Sequence, residues 1–295
     1  MDEALDDLVE RVTQEKPLPI AELASASEAI PAAQPQQAPR IRVPARHNPR
    51  LAQVIERVNG DVELQTLWRC ANVNAVDRLG LTDHGWVHVQ IVANVGLKLL
   101  RLLREAGIPP SIVVDHGLSD DDAETVVVLA VLLHDLGMAV HRDDHEQISP
   151  YLALPKLKEL LAGVYDVAQQ TIITVETLQA IVAHRWDARC LTIEAGVVKV
   201  ADALDMTKGR SRIPFESGHV NIHSLSAAAI EKVQIGKGEG KPILIRIEMS
   251  NSSGLYQLDE LLRGKLVNSG IEEYIEVEAA VTGETEKRLL PTFRL

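Results

Sequence analysis

Cysteine, aromatic residues and positive charge are all scarce in this 295-residue chain, and each shortage excludes a class of protein. Cys70 and Cys190 are the two cysteines, so we expect neither a disulfide framework nor a thiolate metal site. Aromatic residues make up 3%, which argues against the base-stacking platforms of single-strand binders. The formal net charge of -12 opposes a surface that neutralises long nucleic acids, so a small anionic substrate is the better expectation.

Membrane and export signals are also missing from the sequence. No apolar run reaches the ~20 residues of a bilayer span, and the acidic stretch 1–7 lacks the basic region that opens a secretory signal. We therefore expect a cytoplasmic protein with no membrane partner. Residues 1–45 are rich in alanine, glutamine and proline and predict a disordered tail, for which a partner-binding arm is the alternative.

Two patterns of apolar residues divide the rest of the chain. In 46–212 they recur at three and four positions, which predicts an all-helical domain. The predicted helices cover about 49–59, 62–79, 86–105, 120–138, 145–161, 164–185 and 192–206. In 213–295 the period is that of strands, at 219–223, 242–249, 272–281 and 287–293, with one helix at about 255–267. The fold class is therefore mainly α, a helical bundle followed by a small α+β domain.

Capping residues set the predicted helix ends. The predicted N-caps are Asp61, Ser119 and Thr192. Glycines follow three of the helices and predict C-terminal breaks at Gly80, Gly107 and Gly137.

The pair His134-Asp135 ends the apolar run 125–133 and is the most informative feature of the sequence. An imidazole and a carboxylate on so apolar a segment lose hydration unless a partner compensates them, and a metal ion is such a partner. Neighbours in sequence lie about 100° apart on a helix, so both side chains reach one ion only at the edge between their faces.

Further histidines and acids lie on apolar faces of other predicted helices. His88 shares a face with apolar residues, although a core histidine bonded to a backbone carbonyl is the alternative. Asp202 follows two apolar residues, and its alternative is an ion pair with Lys199 or Lys208. His184 is a candidate on yet another helix.

The segment 141–146 holds two histidines four positions apart. Asp143 or Asp144 as an N-cap, paired with Glu146, accounts for its acids without any metal. We interpret His145 as a ligand and His141 as a phosphate contact.

A donor set of imidazoles and carboxylates favours Mn, Fe, Zn, Co or Ni, with Mg less suited to imidazoles. Counting donors does not decide between one ion and two.

These residues resemble the HD superfamily of metal-dependent phosphohydrolases, which is named for the His-Asp doublet. The likeness spans about 84–210 and rests on HVQIV at 88–92, HDLG at 134–137 and VADALD at 200–205. It implies an HD-type bundle in which His145 and His184 are the additional histidines of members with paired ions. The Gly-Tyr-Pro signature of the cyclic-di-GMP-cleaving branch is missing, so that substrate is not implied.

The resulting hypothesis is hydrolysis of a phosphoester by metal-activated water, because a bound metal lowers the pKa of water from 15.7 toward ~7. Asp135 would hold the ion and orient the water, with His141 and Lys208 as further catalytic residues. The predicted substrate-binding residues are Arg142, Arg185, Lys208, Arg210 and Arg212. Basic residues that merely complement a helix dipole are the alternative for 208–212.

We expect a nucleotide or a similar small phosphorylated molecule as substrate, and a homodimer because two-fold oligomers are common. The sequence leaves open the identity of the substrate and the choice between monoester and diester. Two other functions remain: a non-catalytic module for nucleotide sensing and assembly, and a di-iron oxygenase of HD type.

Overall fold

The computed structural model describes residues 40–207, 226–282 and 293–294. Within these ranges a bundle of helices precedes a small mixed sheet, which confirms the predicted fold class. The predicted tail up to residue 39, the domain boundary near 212 and the strand at 219–223 lie outside the described residues. Most of the strand at 287–293 also lies outside them.

Eight helices form the described part of the bundle, separated by short connections. They are α1 Pro49–Gly60, α2 Val62–Asn72, α3 Trp86–Glu105, α4 Ser111–His116, α5 Asp120–Leu133, α6 His145–Leu161, α7 Val167–Ala183 and α8 Ile193–Leu204. A π-helical turn Val73–Arg78 extends α2, so the predicted helix 62–79 is continuous but not α-helical throughout.

The predicted caps explain where several helices begin. Asp61 accepts a bond from the backbone of α2, Thr192 from that of α8, and Ser119 forms a reciprocal capping box at the start of α5. All three predicted N-caps are confirmed. Gly80 and Gly107 have φ angles of 63° and 82°, the left-handed conformation that favours glycine after a helix.

Gly137 has a different role from the predicted helix break. It lies in the short 3-10 turn Leu136–Ala139, outside the left-handed region, so the prediction of a glycine break there was wrong. A Cβ at this position would overlap the carbonyl oxygen of His145, and its N–H donates to Ser149 Oγ at 2.8 Å. The absent side chain therefore lets the start of α6 pack directly on the turn that follows α5.

The helix α5 lies at the centre of the bundle and contacts α3, α7 and α8. Every residue from Asp122 to Leu133 is buried, so its apolar character extends all round rather than along one stripe. A helix surrounded in this way places whatever follows its C-terminus deep inside the molecule. The doublet at 134–135 follows it directly.

The helix α3 qualifies the expectation about membrane spans, since by length and composition it could cross a bilayer. Half of the apolar stretch of this helix is buried inside the bundle. His88, on the same helix, is 1% exposed. A core helix of a soluble protein has the same properties. The cytoplasmic location stays a prediction.

Four strands form the described sheet in the order β1-β2-β3-β4, with bounds β1 Ile230–Lys237, β2 Ile243–Met249, β3 Ile275–Val281 and β4 Phe293–Arg294. Antiparallel pairing joins β1 to β2 and β3 to β4, whereas β2 and β3 are parallel. Parallel neighbours need a crossover connection. The crossover here contains a π-helical turn, Gln257–Arg263, followed by the short helix α9, Gly264–Val267.

Two elements escaped sequence analysis because their partners are distant in the chain. The helix α4 is six residues long, and the Glu194 carboxylate of α8 accepts its Ile112 N–H at 3.0 Å. The strand β1 has an irregular burial pattern and a bulge near Ile230. The glycine-rich stretch 236–240 is typical of a turn, but Gly236 at its start pairs with Leu244 in the sheet.

Candidate metal centre

The His134-Asp135 doublet lies where α5 ends and both side chains turn into one cavity. His134 is fully buried and Asp135 is 5% exposed. Asp135 leaves the helical conformation, with φ -100° and ψ 9°, so the two side chains are no longer 100° apart on a regular helix. His134 Nε2 lies 3.2 Å from Asp135 Oδ2. The end of the helix thus removes the geometric obstacle to a shared ligand.

One group of donors gathers around the Oδ2 atom of Asp135. The Nε2 atom of His88, from α3, lies 3.5 Å from this oxygen and 3.3 Å from His134 Nε2. Asp202, from α8, brings its Oδ1 atom to 3.3 Å from His88 Nε2 and 3.7 Å from His134 Nε2. Three separate helices therefore direct two imidazoles and two carboxylates to one point.

A second group gathers around the other oxygen of the same carboxylate. Asp135 Oδ1 lies 3.2 Å from His145 Nε2, at the start of α6, and 3.7 Å from His184 Nε2, just after α7. Both histidines are buried. Asp135 is thus shared between two histidine pairs, one on each oxygen.

Oxygen acceptors hold the outer nitrogen of all four rings. The Nδ1 atoms of His88, His134 and His184 donate to Asp205 Oδ2 at 2.7 Å, Val131 O at 2.7 Å and Ile181 O at 2.5 Å, acceptor-only oxygens that assign a proton to each of these nitrogens. The Nδ1 atom of His145 lies 2.9 Å from both the carbonyl oxygen and the guanidinium of Arg142. The four Nε2 atoms face the cavity. Metal-bound histidines in proteins are held by outer partners in the same way.

The charges of the cluster follow from burial and from its opposite partners. Burial disfavours the imidazolium of His134, but Asp135 and Asp202 outweigh burial and raise the pKa of His134 to about 10. Burial also disfavours ionised Asp135 and Asp202, yet neighbouring cations hold both pKa values well below the usual range. Burial holds the pKa of His184 well below its usual value. The carboxylates are therefore ionised, as metal ligands must be.

The donor set fits divalent transition metals, since imidazole nitrogen and carboxylate oxygen are the ligands that such ions prefer. Two metal-capable groups share Asp135. The residues that would hold a first ion are His88, His134, Asp135 and Asp202. Those that would hold a second are Asp135, His145 and His184.

The counter-ion that the structure shows for Asp202 is not Lys199, one of the two predicted from sequence. Lys199 is fully buried, but its ammonium donates to the carbonyl of Ala188, so the predicted pair with Asp202 is wrong. Lys208 lies outside the described residues. Asp202 Oδ2 instead accepts a bond from Lys265 Nζ, on α9. Sequence reasoning missed Lys265 because no local pattern links it to α8.

Asp205 is a second residue that sequence reasoning left without a role. Its carboxylate holds the ring of His88 and is itself buried. The available signal was its spacing, since residues three apart on a helix share a face and Asp205 follows Asp202 by three.

A cleft of about 350 Å³ opens from the metal centre. Residues of the helical bundle and of the C-terminal segment line the cleft, among them His84, Arg142, Glu146, Trp186, Leu261 and Lys265. Trp186 is 66% exposed on the wall of this cleft. Trp186 is one of three tryptophans, and no sequence pattern indicated that this one lines the cleft.

The predicted substrate-binding residues fall in different places. Arg142 is exposed and lines the cleft. Arg185 is bound to Asp187 at 2.7 Å and to Asp144 at 3.5 Å, and it is not among the described lining residues. The predictions at Lys208, Arg210 and Arg212 lie outside the described residues.

The other features predicted for 141–146 also differ in outcome. His141 is exposed, and its Nδ1 accepts the N–H of Asp143 at 3.0 Å, so its role as a phosphate contact stays a prediction. Asp144 stands before α6 with a left-handed φ of 57°, but its side chain caps nothing. The predicted cap at Asp144 is wrong, because that carboxylate faces Arg185 instead.

A third His/acid group lies elsewhere in the bundle, at His47, Asp121 and Glu124. We call it the Glu124 cluster. The Glu124 carboxylate is fully buried and accepts from Arg101 Nε at 2.8 Å. His47 is half exposed and lies 3.0 Å from the same carboxylate. The buried Glu124 carboxylate is therefore already paired with the Arg101 guanidinium.

Comparison with known proteins agrees with this geometry. The HD domain model matches residues 87–207. The uncharacterized protein MJ1020 of Methanocaldococcus jannaschii is 45% identical over 222 residues, which cover 75% of this chain and 86% of that protein. Ribonuclease Y of Desulforamulus reducens is 33% identical over 190 residues, 62% of this chain and 34% of that enzyme. No solved structure matches.

The chain contains an HD domain at residues 87–207, the domain of a superfamily of metal-dependent hydrolases. It spans about a third of the ribonuclease Y that it matches, so the activity of that whole enzyme is a separate question.

Proposed function

We propose that this protein is a phosphohydrolase that cleaves a phosphoester bond in a nucleotide or a similar small phosphorylated molecule. One observation carries the proposal: the two oxygens of Asp135 face separate pairs of buried histidines. A carboxylate shared in this way suits a centre of paired metal ions, which is the arrangement of many enzymes that hydrolyse phosphoesters.

Divalent ions supply a water of lowered pKa and neutralise phosphoryl oxygens when they are bound in such a centre. The chain itself supplies orientation, since the outer bonds of the four rings fix the directions of their Nε2 atoms. The cleft supplies the binding site, and its volume of about 350 Å³ lies at the lower end of the range for small ligands, roughly 300–1,000 Å³. These features together favour a small substrate.

The direct test is hydrolysis by protein purified without chelator and loaded in turn with Mn, Fe, Zn, Co, Ni or Mg. The substrates are nucleoside monophosphates, cyclic nucleotides and simple aryl phosphomonoesters and phosphodiesters. We expect turnover of at least one class, and loss of both turnover and metal uptake in His134→Ala. His116→Ala is the matched control, because His116 lies away from the cleft and pairs with Glu176.

Full activity in His134→Ala would refute the proposal. Tight nucleotide binding with no product under any metal would instead favour the non-catalytic sensing module.

Trp186 supports the nucleotide among the possible small substrates. An indole that is two-thirds exposed on the wall of the cleft offers a stacking surface for a base, a contact worth ~1–3 kcal/mol. We expect AMP to quench the tryptophan fluorescence of the metal-loaded protein and glycerol phosphate to leave it unchanged. Trp186→Leu should lose the response, whereas an equal response to both ligands would remove the argument for a base.

Cleavage of RNA is the second candidate, because the matched Desulforamulus reducens protein is named ribonuclease Y. The net charge of -12 weighs against long RNA. A short RNA in the same assay decides the matter: processive cleavage that weakens steeply as salt rises would favour this candidate over a small substrate.

A further inference from the structure

The C-terminal part of the chain delivers a lysine into the metal centre. Lys265 lies on α9, in the crossover between β2 and β3, which sequence patterns assign to a different domain from the HD residues. Its Nζ nevertheless donates to Asp202 Oδ2. The Lys265 side chain is 17% exposed and lines the cleft.

Several contacts fix α9 beside the bundle, so the position of Lys265 is part of the fold. Asn268, directly after α9, accepts the N–H of Cys190 through its carbonyl at 3.0 Å. Its side chain donates to the carbonyl of Trp186 at 3.2 Å. On α8, Gly196 approaches so closely that a Cβ there would overlap the carbonyl oxygen of Ser269. Close packing of α8 against this segment therefore aligns Lys265 with Asp202.

The two oxygens of Asp202 have different partners. Oδ1 faces the Nε2 atoms of His88 and His134, whereas Oδ2 faces Lys265. An ion held through Oδ1 therefore leaves the ammonium group in place beside it, on the cleft side. A positive charge next to a dication weakens binding of that dication, so a centre optimised for metal affinity alone would gain by omitting Lys265.

The positive charge of Lys265 would instead be favourable for binding an anionic substrate. Among the described residues that line the cleft, Lys265 and Arg142 are the lysine and arginine side chains. Arg142 is exposed, whereas Lys265 is mostly buried beside a metal ligand. A charge-assisted hydrogen bond from a shielded ammonium group is stronger than one from an exposed group.

We propose that Lys265 binds a phosphoryl oxygen of the substrate, so that the C-terminal segment contributes a residue to the active site. The inference rests on the proposed function insofar as the substrate carries a phosphoryl group. It assigns the crossover between β2 and β3 a part in substrate binding as well as in packing.

The test compares wild type with Lys265→Met and Lys265→Arg in the full chain. Calorimetry first measures the affinity for Mn²⁺ alone and then the affinity of the Mn²⁺-loaded protein for inorganic phosphate. Lys237→Met is the matched control, because Lys237 is exposed on β1 and pairs with Glu105. Thermal unfolding of each variant verifies that it is folded.

We expect Lys265→Met to bind Mn²⁺ at least as tightly as wild type, because the substitution removes a like charge from beside the dication. Its affinity for phosphate should fall about tenfold or more, the usual loss for a hydrogen bond to a charged group. Lys265→Arg should restore most of the phosphate affinity, and Lys237→Met should match wild type in both measurements.

A residue that merely orients Asp202 predicts the opposite sign for the metal. Loss of such an outer partner weakens metal binding by roughly 10- to 100-fold. Weaker Mn²⁺ binding in Lys265→Met, or unchanged phosphate affinity, would overturn the inference. If Lys265→Met does not fold, the folded Lys265→Arg variant takes its place. Phosphate binding by Lys265→Arg that is at least tenfold weaker than binding by wild type would also overturn the inference.

These measurements need no turnover. Failure of every candidate substrate in the hydrolysis assay would end the proposed function and leave the phosphate result standing. Conversely, hydrolysis that survives in Lys265→Met with an unchanged KM would end this inference alone.

Discussion

The metal centre and the Glu124 cluster are both groups of histidine and acid within one helical bundle, yet they differ in what neutralises the acid. In the Glu124 cluster a guanidinium lies 2.8 Å from the buried carboxylate. In the metal centre, the described ion-pair partners of Asp135 are all imidazoles. Asp135 therefore keeps both oxygens directed at nitrogen atoms that are able to bind a metal.

The pKa of Glu124 also reflects its compensation by a guanidinium. Burial raises it, but Arg101 and then His47 outweigh burial and hold it below its usual value. The guanidinium of Arg101 is a permanent cation that compensates the buried charge, and a dication would have to compete with it. Proximity of histidine and acid is thus not enough to define a metal site: Glu124 has a guanidinium at 2.8 Å, whereas the described ion-pair partners of Asp135 are imidazoles.

The largest effect is expected for Asp135→Asn. This substitution removes the one carboxylate common to both histidine pairs, so metal affinity should fall by more than the roughly 100-fold upper value for an outer partner. Metal analysis after dialysis measures it. Glu124→Gln is the paired control and should retain a full complement of metal. Equal metal content in Asp135→Asn and wild type would break the comparison.

A smaller loss is expected for Asp205→Asn, since the Asp205 carboxylate bonds the outer Nδ1 atom of His88 and not the Nε2 atom that faces Asp135. Its metal affinity should fall roughly 10- to 100-fold. Competition with a metal-sensitive dye measures the change. A loss as large as that of Asp135→Asn would indicate that Asp205 is itself a ligand.

Stability, and not metal affinity, should change in Glu124→Gln. Weakening the buried pair with Arg101 should lower the free energy of unfolding by about 1–3 kcal/mol. The folded pKa of Glu124 is below the unfolded one, so its contribution is present above the unfolded value of about 4.5 and lost as pH falls through the folded value. Urea unfolding at several pH values measures both.

The difference in unfolding free energy between wild type and Glu124→Gln should be largest at neutral pH and shrink at the acid end. A difference that grows on acidification would have the wrong sign and contradict this assignment.

The smallest effect is expected for His47→Ala. His47 is half exposed, so the loss of stability should stay within about 1 kcal/mol. Thermal unfolding with and without added Mn²⁺ measures it. A Mn²⁺-dependent shift in wild type that disappears in His47→Ala would show that the Glu124 cluster binds metal after all.

Sequence reasoning reached those features whose causes are local. Helix bounds followed from apolar periodicity and from caps such as Ser119, and α3 and α6 begin and end within a residue or two of the predicted positions. It failed where distant residues decide the outcome, as at α4, whose start is held by Glu194. Gly137 shows a third case, in which the residue was noticed but its role was set by the approach of another helix.

The candidate ligands divide along the same line. His88, His184 and Asp202 were found because each stands on an otherwise apolar helical face, a property of short stretches of sequence. Their convergence on one carboxylate is a property of how α3, α5, α7 and α8 pack. No local pattern pointed to Lys265.

The sequence by itself determined which side chains are buried and able to bind a metal, because apolar periodicity forces polar exceptions into the core, where they need partners. Only the tertiary structure decided the pairing: each oxygen of Asp135 with its own two histidines, Asp202 with Lys265, and Glu124 with Arg101. Such contacts join residues far apart in the chain, and their distances are set by the packing of whole helices.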